Sequence, residues 1–166
     1  MGRPADLRTQ NPPPGEYEVK AAFLFNFAKF VEWPQSAFAD ANSPLIIGVL
    51  GDDPFGDVLE RTVAGKLVQG RPLRVQRWKR LVEMRYCHIL FVSPSERGEL
   101  PEILERFQAA AVLTVSEEDG FDELGGMIHF LLQENKVRFA INNRAAKAAG
   151  LKISSRLLML AVSVWD

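Results

Sequence analysis

The sequence predicts a three-layer α/β domain, in which a mixed, mostly parallel sheet has helices on both faces and a C-terminal antiparallel hairpin. Short apolar runs typical of buried strands alternate with segments of helical pattern. Strands separated by helices favour parallel pairing, because parallel strands need long crossover connections. The chain of 166 residues has the length of one domain. We therefore expect a disordered, proline-rich lead over residues 1–14 and a single domain over residues 15–166.

The alternating elements fill the first two thirds of the chain. A helix is predicted over residues 16–32, because a proline follows two residues later and restricts the residue before it. Three short apolar runs and one alternating run predict four strands: residues 45–50, 87–93, 111–116 and 72–78. Two helices that begin beside a proline are predicted over residues 54–65 and 93–107.

The last third of the chain differs in character. Two apolar runs flank a Gln-Glu-Asn turn and predict an antiparallel hairpin: residues 127–132 and 136–141. A short helix over residues 143–149 is followed by a glycine suited to its C-terminal cap. A final helix, capped by Ser154 or Ser155, is predicted to reach Val164.

Charge and composition exclude several classes of function. There are 20 basic and 21 acidic residues, and no basic stripe offers the surface that nucleic acid binding needs. No segment reaches the roughly 20 apolar residues of a membrane-spanning helix. A single cysteine, Cys87, excludes an intrachain disulfide, and its apolar neighbours predict a buried thiol. We therefore expect no nucleic acid partner and no membrane insertion.

No catalytic set can be assembled from the sequence. His88 and His129 lie in apolar strands without a second ligand at metal spacing, so we interpret both as structural. An acidic pair, Asp52 and Asp53, follows the first strand, but the later central strand lacks the aspartate of a phosphorelay receiver. We therefore predict a protein that is not an enzyme and holds neither metal nor cofactor. A hydrolase with an unrecognised site is a further alternative.

A small-molecule site is an alternative function. Ligands of open α/β sheets bind at the carboxyl ends of strands, and the first predicted strand ends in a suitable turn. The candidate pocket residues are Asp52, Asp53, Phe55 and Gly56. In the other interpretation, the two aspartates only cap and stabilise the helix that follows.

Two segments are richer in apolar residues than one buried face requires. The first helix places Val19, Phe23 and Phe27 on a broad apolar face, whereas Phe25 lies away from it. We expect Phe25 to be covered by the loop after Trp33, by the C-terminal helix or by a second chain. The final helix is apolar on all sides, which indicates either a deep dock or a contact between chains.

Several motifs of this chain together point to one family. The first helix reads VKAAFLFNFAKFVEWP, and the C-terminal region reads KVRFAINNRAAKAAGLKISSRLLMLA. Between them stand IIGVLGDDPFG, CHILFVS, VLTVS and GGMIHF. Over residues 17–161 the chain resembles the YfiR-like family of bacterial periplasmic proteins, and the first and last motifs are the specific ones.

The resemblance implies a regulatory function. Members are exported, mixed α/β proteins that restrain a membrane-bound diguanylate cyclase by binding its periplasmic part, which lowers cyclic di-GMP and biofilm formation. They tend to dimerise and need no catalysis. A periplasmic location is therefore expected, with the export signal absent from this sequence. This chain departs from the family in one respect, because members can use disulfides and Cys87 has no partner cysteine.

The resemblance also selects candidate contact residues. Those expected to bind the cyclase stand in the C-terminal motifs: Phe139, Ile141, Asn142, Leu151, Lys152, Ile153 and Leu158. Phe25 and Trp33 are the candidate contacts of a homodimer. The alternative remains a small-molecule sensor, in which a ligand at the Asp52 to Gly56 turn would bias the binding-competent state.

Overall fold

The computed structural model describes residues 15–166, so the predicted lead over residues 1–14 lies outside the described residues. The helices of this range are α1 (Glu16–Phe30), α2 (Val58–Val63), α3 (Leu100–Arg106), α4 (Asn143–Ala148) and α5 (Ser155–Leu160). The strands are β1 (Val31–Glu32), β2 (Leu45–Leu50), β3 (Leu67–Val68), β4 (Arg71–Trp78), β5 (Ile89–Val92), β6 (Leu113–Ser116), β7 (Ile128–Gln133), β8 (Lys136–Asn142), β9 (Lys152–Ile153) and β10 (Ser163–Trp165).

The main sheet has the strand order β10-β8-β7-β6-β5-β2-β4-β3. Neighbours from β7 to β4 are all parallel, and β10 also joins β8 in parallel. The β7–β8 and β3–β4 pairs are antiparallel. A separate two-stranded antiparallel sheet joins β1 to β9. The predicted mixed, mostly parallel sheet with a C-terminal hairpin is therefore confirmed.

Both faces of the sheet are covered, which confirms the three layers. Along β5, Ile89 and Phe91 belong to one buried cluster, and Leu90 and Val92 belong to the other. This alternation follows from the two-residue period of a strand. The first cluster packs against α1, α2, α4 and α5, and the second packs against α3 and Phe121.

The hairpin is set by its turn. Glu134 and Asn135 both have positive φ, at 51° and 66°. Two such residues form the turn whose twist matches that of paired strands. Gln133 therefore pairs with Lys136, and the register continues to the pair of Ile128 with Ile141.

The first helix ends earlier than predicted, and its buried face includes the predicted Phe27 but is rotated away from Val19. It stops at Phe30, because Val31 turns to an extended conformation and pairs with Ile153 in β9. Val19 was predicted to be buried but is 43% exposed, whereas Lys20 is 2% exposed. The sequence pattern missed this rotation of the helix because Lys20 has charged partners inside the protein.

Two further predicted boundaries are wrong. The helix expected from Pro54 begins only at Val58, because the preceding residues form a turn. The final helix expected to reach Val164 ends at Leu160, and the next residues add β10 to the edge of the sheet. Hydrogen bonds to β8, some 23 residues earlier, replace those of a continued helix.

Candidate functional site

The C-terminal surface, which we define as residues 159–165, is the most exposed apolar segment of the described chain that is continuous in sequence. The helix before it is anchored by Leu157, which is completely buried, and is capped by the Ser154 hydroxyl, which accepts from the Leu157 N–H at 3.4 Å. The cap confirms Ser154 of the two serines predicted. Met159 and Leu160 lie beyond this anchor and are 83% and 61% exposed. A helix predicted to be apolar on all sides therefore leaves one side open.

The second half of the C-terminal surface is an edge strand. Backbone bonding to β8 begins where the Val162 N–H donates to the Phe139 carbonyl at 2.9 Å. Along β10, Val164 and Trp165 remain exposed. β10 is the last strand of the sheet, so its outer edge has no neighbouring strand within residues 15–166. Open backbone groups beside exposed apolar side chains make such an edge a template for pairing with another chain.

Three of the predicted cyclase-binding residues, Phe139, Ile141 and Asn142, lie in β8 beside this surface, but most of the set is buried. Five of the seven are buried: Phe139, Ile141, Asn142, Leu151 and Ile153. Lys152 is exposed and Leu158 is half-buried. Direct contact with a partner stays a prediction for this set. In the free chain, only Lys152 and Leu158 are accessible for it.

The burial of Phe139 has a clear cause. Its ring packs edge-on against Phe23 and Phe27, each at a centroid distance of 5.3 Å. Phe27 in turn stacks on Phe130, at 5.8 Å. The hairpin strands therefore supply part of the aromatic core that packs against α1. Their apolar pattern in the sequence is explained by this packing.

The turn after β2 is closed by internal bonds. Asp53 accepts from the Phe55 N–H at 3.0 Å and from Arg77 Nε at 2.8 Å. Arg77 also donates to the Gly56 carbonyl at 2.7 Å and to Glu60. These hydrogen bonds lower the pKa of Glu60 and raise that of Arg77.

The turn has a structural role in the free chain. The Phe55 ring lies in the core against Phe91, at 5.0 Å. Asp52 is exposed and sits 3.4 Å from Lys79. Ligand binding at this turn stays a prediction, and a ligand would have to compete with Arg77 for Asp53.

The two predicted dimer contacts both have partners within the chain. The ring of Phe25 is half-buried, with the ammonium groups of Lys29 and Lys66 at 5.1 and 5.6 Å. Covering of Phe25 by this part of the chain was not among the alternatives considered from the sequence. Trp33 donates from its indole nitrogen to the His88 carbonyl at 3.0 Å. Dimerisation through these two residues stays a prediction.

His88 is a structural histidine, as predicted. It is 3% exposed, and its Nδ1 accepts from the Ile46 N–H at 3.0 Å while Nε2 lies 2.9 Å from the Ala37 carbonyl. Its ring stacks on Phe38 at 4.3 Å. Burial lowers its pKa, the bond to Ala37 opposes this, and the nearby Arg71 adds to it. The geometry therefore requires the neutral ring.

Cys87 and His129 were also predicted to lie in the interior of the fold. Cys87 is completely buried, as predicted, and burial raises the pKa of its thiol to about 12. The Nδ1 atom of His129 lies 3.5 Å from Asp122, and its buried Nε2 has no partner within the described residues. In that same range, no group of three or more potential ligands is placed to hold a metal ion. No helix there is long and apolar enough to cross a membrane.

A buried ionic cluster, which sequence reasoning missed, lies at the carboxyl edge of the sheet. Lys20 pairs with Glu16 and Glu117, and its side chain is 3% exposed. The Tyr17 hydroxyl donates to Glu117 at 2.7 Å, and burial together with this bond raises its pKa. The i, i+4 spacing of Glu16 and Lys20 was the available signal, but Glu117 is 97 residues away from Lys20.

A cavity of about 430 Å³ was also missed. It lies between α3 and α4 and is lined by Leu104, Phe107, Thr114, Leu124, Met127, Asn142 and Arg144 among others. The lining comes from four separate segments of the chain. No local motif marks it, so the sequence contains no signal from which it could have been found.

Comparison with known proteins supports the fold and the family. A family model described as YfiR/HmsC-like matches residues 17–162. Among solved structures, a conserved domain protein from Vibrio cholerae O1 biovar El Tor superposes with a TM-score of 0.58 at 11% identity. The match covers 89% of this chain and 60% of that one, so the chain spans about three fifths of its length. At this identity the likeness shows the fold alone. A search of curated proteins gave no match.

Proposed function

The chain belongs to the YfiR/HmsC-like family, and from this premise we propose that it is a periplasmic protein that restrains a membrane-bound diguanylate cyclase. It does so by contact with the periplasmic part of the cyclase, without catalysis. The restraint lowers cyclic di-GMP and biofilm formation. The observation that carries the proposal is the C-terminal surface, which adjoins the motifs that mark the family.

The exposure of this surface supports a role in binding. Met159 alone is 83% exposed, and four further apolar residues of the segment are at least 38% exposed. A large apolar side chain left fully in water forgoes about 1.5–3 kcal/mol of burial free energy, and a partly exposed one forgoes part of it. A contiguous set of such residues beside an open strand edge is typical of an interaction site.

The buried residues of the predicted set support this surface from below. Val164 is paired with Ile141 and Trp165 with Asn142, so β8 determines where β10 lies. Lys152, which is exposed, and Leu158, which is half-buried, remain available for direct contact. We therefore propose that the cyclase contacts the C-terminal surface together with these two residues.

A homodimer is the second part of the proposal. Phe25 and Trp33 lie on and just after α1, away from the C-terminal surface in sequence, and each is half-buried. A second copy would cover the remaining part of each side chain. The dimer and the cyclase complex would then use different residues.

Calorimetric titration with the periplasmic domain of the cyclase encoded nearest to this protein tests the proposal. We expect saturable binding that weakens at least about tenfold in Met159→Asp and Leu160→Asp, because a charge would be buried in an apolar contact. Val82→Asp is the matched control, since Val82 is 73% exposed and lies outside the C-terminal surface.

Two results would contradict the proposal. One is the absence of binding at tens of micromolar with both folded partners. The other is equal weakening by the Val82 variant, which would show that charge alone and not the C-terminal surface governs the contact. Phe139→Asp and Ile153→Asp are unsuitable probes, because both side chains are in the core.

A further inference from the structure

The cavity between α3 and α4 lies outside the contact surface of the proposed function. Its volume of about 430 Å³ falls in the range of small-molecule sites, roughly 300–1,000 Å³. Its walls are apolar, with Leu104 and Phe107 on the α3 side. Leu124 at its border is 52% exposed. An apolar chain of a small ligand would be shielded from water there.

Two buried polar groups of the cavity, Thr114 and Asn142, each keep one hydrogen-bond donor without a partner inside residues 15–166. Thr114 is 2% exposed, and its hydroxyl oxygen accepts from the Met127 N–H at 3.0 Å. Its own proton has no acceptor within residues 15–166. The Asn142 amide accepts from the Ala145 N–H and donates one hydrogen to the Asp122 carbonyl, each at 3.0 Å. Its second N–H hydrogen is unused.

The charge at the cavity adds to this pattern. Arg144 on α4 lines it, and its guanidinium belongs to none of the ion pairs of the described residues. The nearest carboxylate influence is Asp166, whose pKa is lowered by hydrogen bonds from Lys147 and Asn143 and also by the charge of Arg144. Glu105 on α3 is the acidic residue of the lining. A guanidinium binds a carboxylate through two parallel hydrogen bonds. An anionic group is therefore favoured on the α4 side of the cavity and disfavoured on the α3 side.

We propose that this cavity binds a small carboxylic acid with an apolar chain. The chain lies between the Leu104 and Phe107 wall and Leu124, and the carboxylate is held by Arg144. Thr114 and Asn142 supply donors that such a ligand can use through its oxygens or through a bridging water. Binding at this site needs no cyclase, although Asn142 also pairs with Trp165 of the C-terminal surface.

The test uses the full chain alone, with octanoate as the probe and octanol as its uncharged counterpart. We expect saturable octanoate binding by calorimetry and at least about tenfold weaker binding of octanol, as charged hydrogen bonds contribute more than neutral ones. Amide resonances of Thr114, Met127 and Asn142 should shift during the titration, while those of Met159 and Leu160 at the start of the C-terminal surface should not.

Three variants at exposed positions separate the contributions. Arg144→Gln should weaken octanoate binding about tenfold and leave octanol unchanged. Glu105→Gln is the charge control and should leave octanoate binding equal or tighter. Ala148→Phe should block both probes, because Ala148 lines the cavity. The substitution should not disturb the fold, because the position is exposed to solvent.

The proposal is overturned by any of four results. Three of them are no saturable binding of octanoate at millimolar concentration, equal affinity for octanoate and octanol, and octanoate binding that Arg144→Gln leaves unchanged. Resonance shifts confined to the C-terminal surface would also overturn it, because they would place the fatty chain on the exposed apolar segment. All three variants are checked for cooperative unfolding beforehand.

Discussion

The first helix and the C-terminal surface have similar apolar content and opposite fates. In α1, Phe27 is completely buried and stacks among Phe23, Phe130 and Phe139. In the C-terminal surface, the large apolar side chains remain exposed. The difference lies in what each segment packs against. Helix α1 lies across a face of the sheet, whereas β10 is its last strand.

This contrast shows that apolar content alone does not identify an interface. The aromatic surplus of α1 is used up by the hairpin strands, which supply Phe130 and Phe139 from more than 100 residues away. Within residues 15–166, β10 is paired with a strand on one side alone, namely with β8. Several exposed apolar side chains therefore lie together at this edge of the sheet.

Phe27→Ala tests the buried side of the contrast and should have the largest effect. Removing a ring at the centre of the aromatic core should lower the free energy of unfolding by about 3–5 kcal/mol. Urea denaturation measures this change. Val19→Ala on the same helix is the control, because Val19 is 43% exposed and should change stability by no more than about 0.5 kcal/mol. Equal effects of the two variants would contradict the assignment of the buried face.

Lys20→Met sharpens the account of the buried face of α1. Removing the cation leaves Glu16 and Glu117 close together without compensation, which should cost about 3 kcal/mol at pH 7. Urea denaturation at pH 7 measures this loss. Glu117→Gln added to the Lys20→Met chain should restore part of the stability, because it removes one of the two uncompensated carboxylates. No recovery in the double variant would argue against the ionic cluster.

Protonation of His88 at acidic pH should lower the free energy of unfolding, by less than the changes in α1. His88 contacts the segment that follows α1 through its bond to the Ala37 carbonyl. The folded-state pKa of His88 is lowered below the ordinary 6.5, so the unfolded chain binds the proton first. Its contribution is therefore present above pH 6.5 and is lost as pH falls below it. As the pH is lowered below 6.5, the free energy of unfolding should decrease more steeply in the unsubstituted chain than in His88→Gln. Identical slopes in the two chains would contradict this role.

Met159→Ser and Leu160→Ser test the exposed side and should have the smallest effects. Both side chains are mostly in water, so each change should alter the free energy of unfolding by at most about 0.5 kcal/mol. Leu157→Ser on the same helix is the control, and its cost should be several times larger because Leu157 is completely buried. A loss above 1 kcal/mol for Met159→Ser would mean that the C-terminal surface is part of the core.

Much of the fold could be predicted because its elements have strong local patterns. The buried strands β2, β5 and β6 and the hairpin were found from apolar runs and turn residues. The missed strands β1, β3, β9 and β10 have two or three residues each. A strand of that length has no period of its own and exists only through its partner. Val31, for example, is extended because it pairs with Ile153.

The candidate site was predicted less well than the fold. The apolar surplus near the C-terminus was recognised, but five of the seven selected residues lie in the core. Ile141 illustrates the reason. The local sequence pattern of a strand is the same whether an apolar side chain packs against a helix or remains exposed to solvent. The cavity was not predicted at all, because segments far apart in sequence form it.

The sequence by itself determined the class of fold, the hairpin and the family, since periodicity, turn residues and motifs are local properties of the chain. Tertiary structure alone decided which apolar residues are covered, which charges pair and where a cavity remains. Those properties depend on neighbours that are distant in sequence, such as Glu117 for Lys20 and Phe139 for Phe27. Whether a residue is buried depends on contacts between segments that are distant in sequence. Those contacts are defined only in the folded protein, by the two covered faces and the open edge of the sheet.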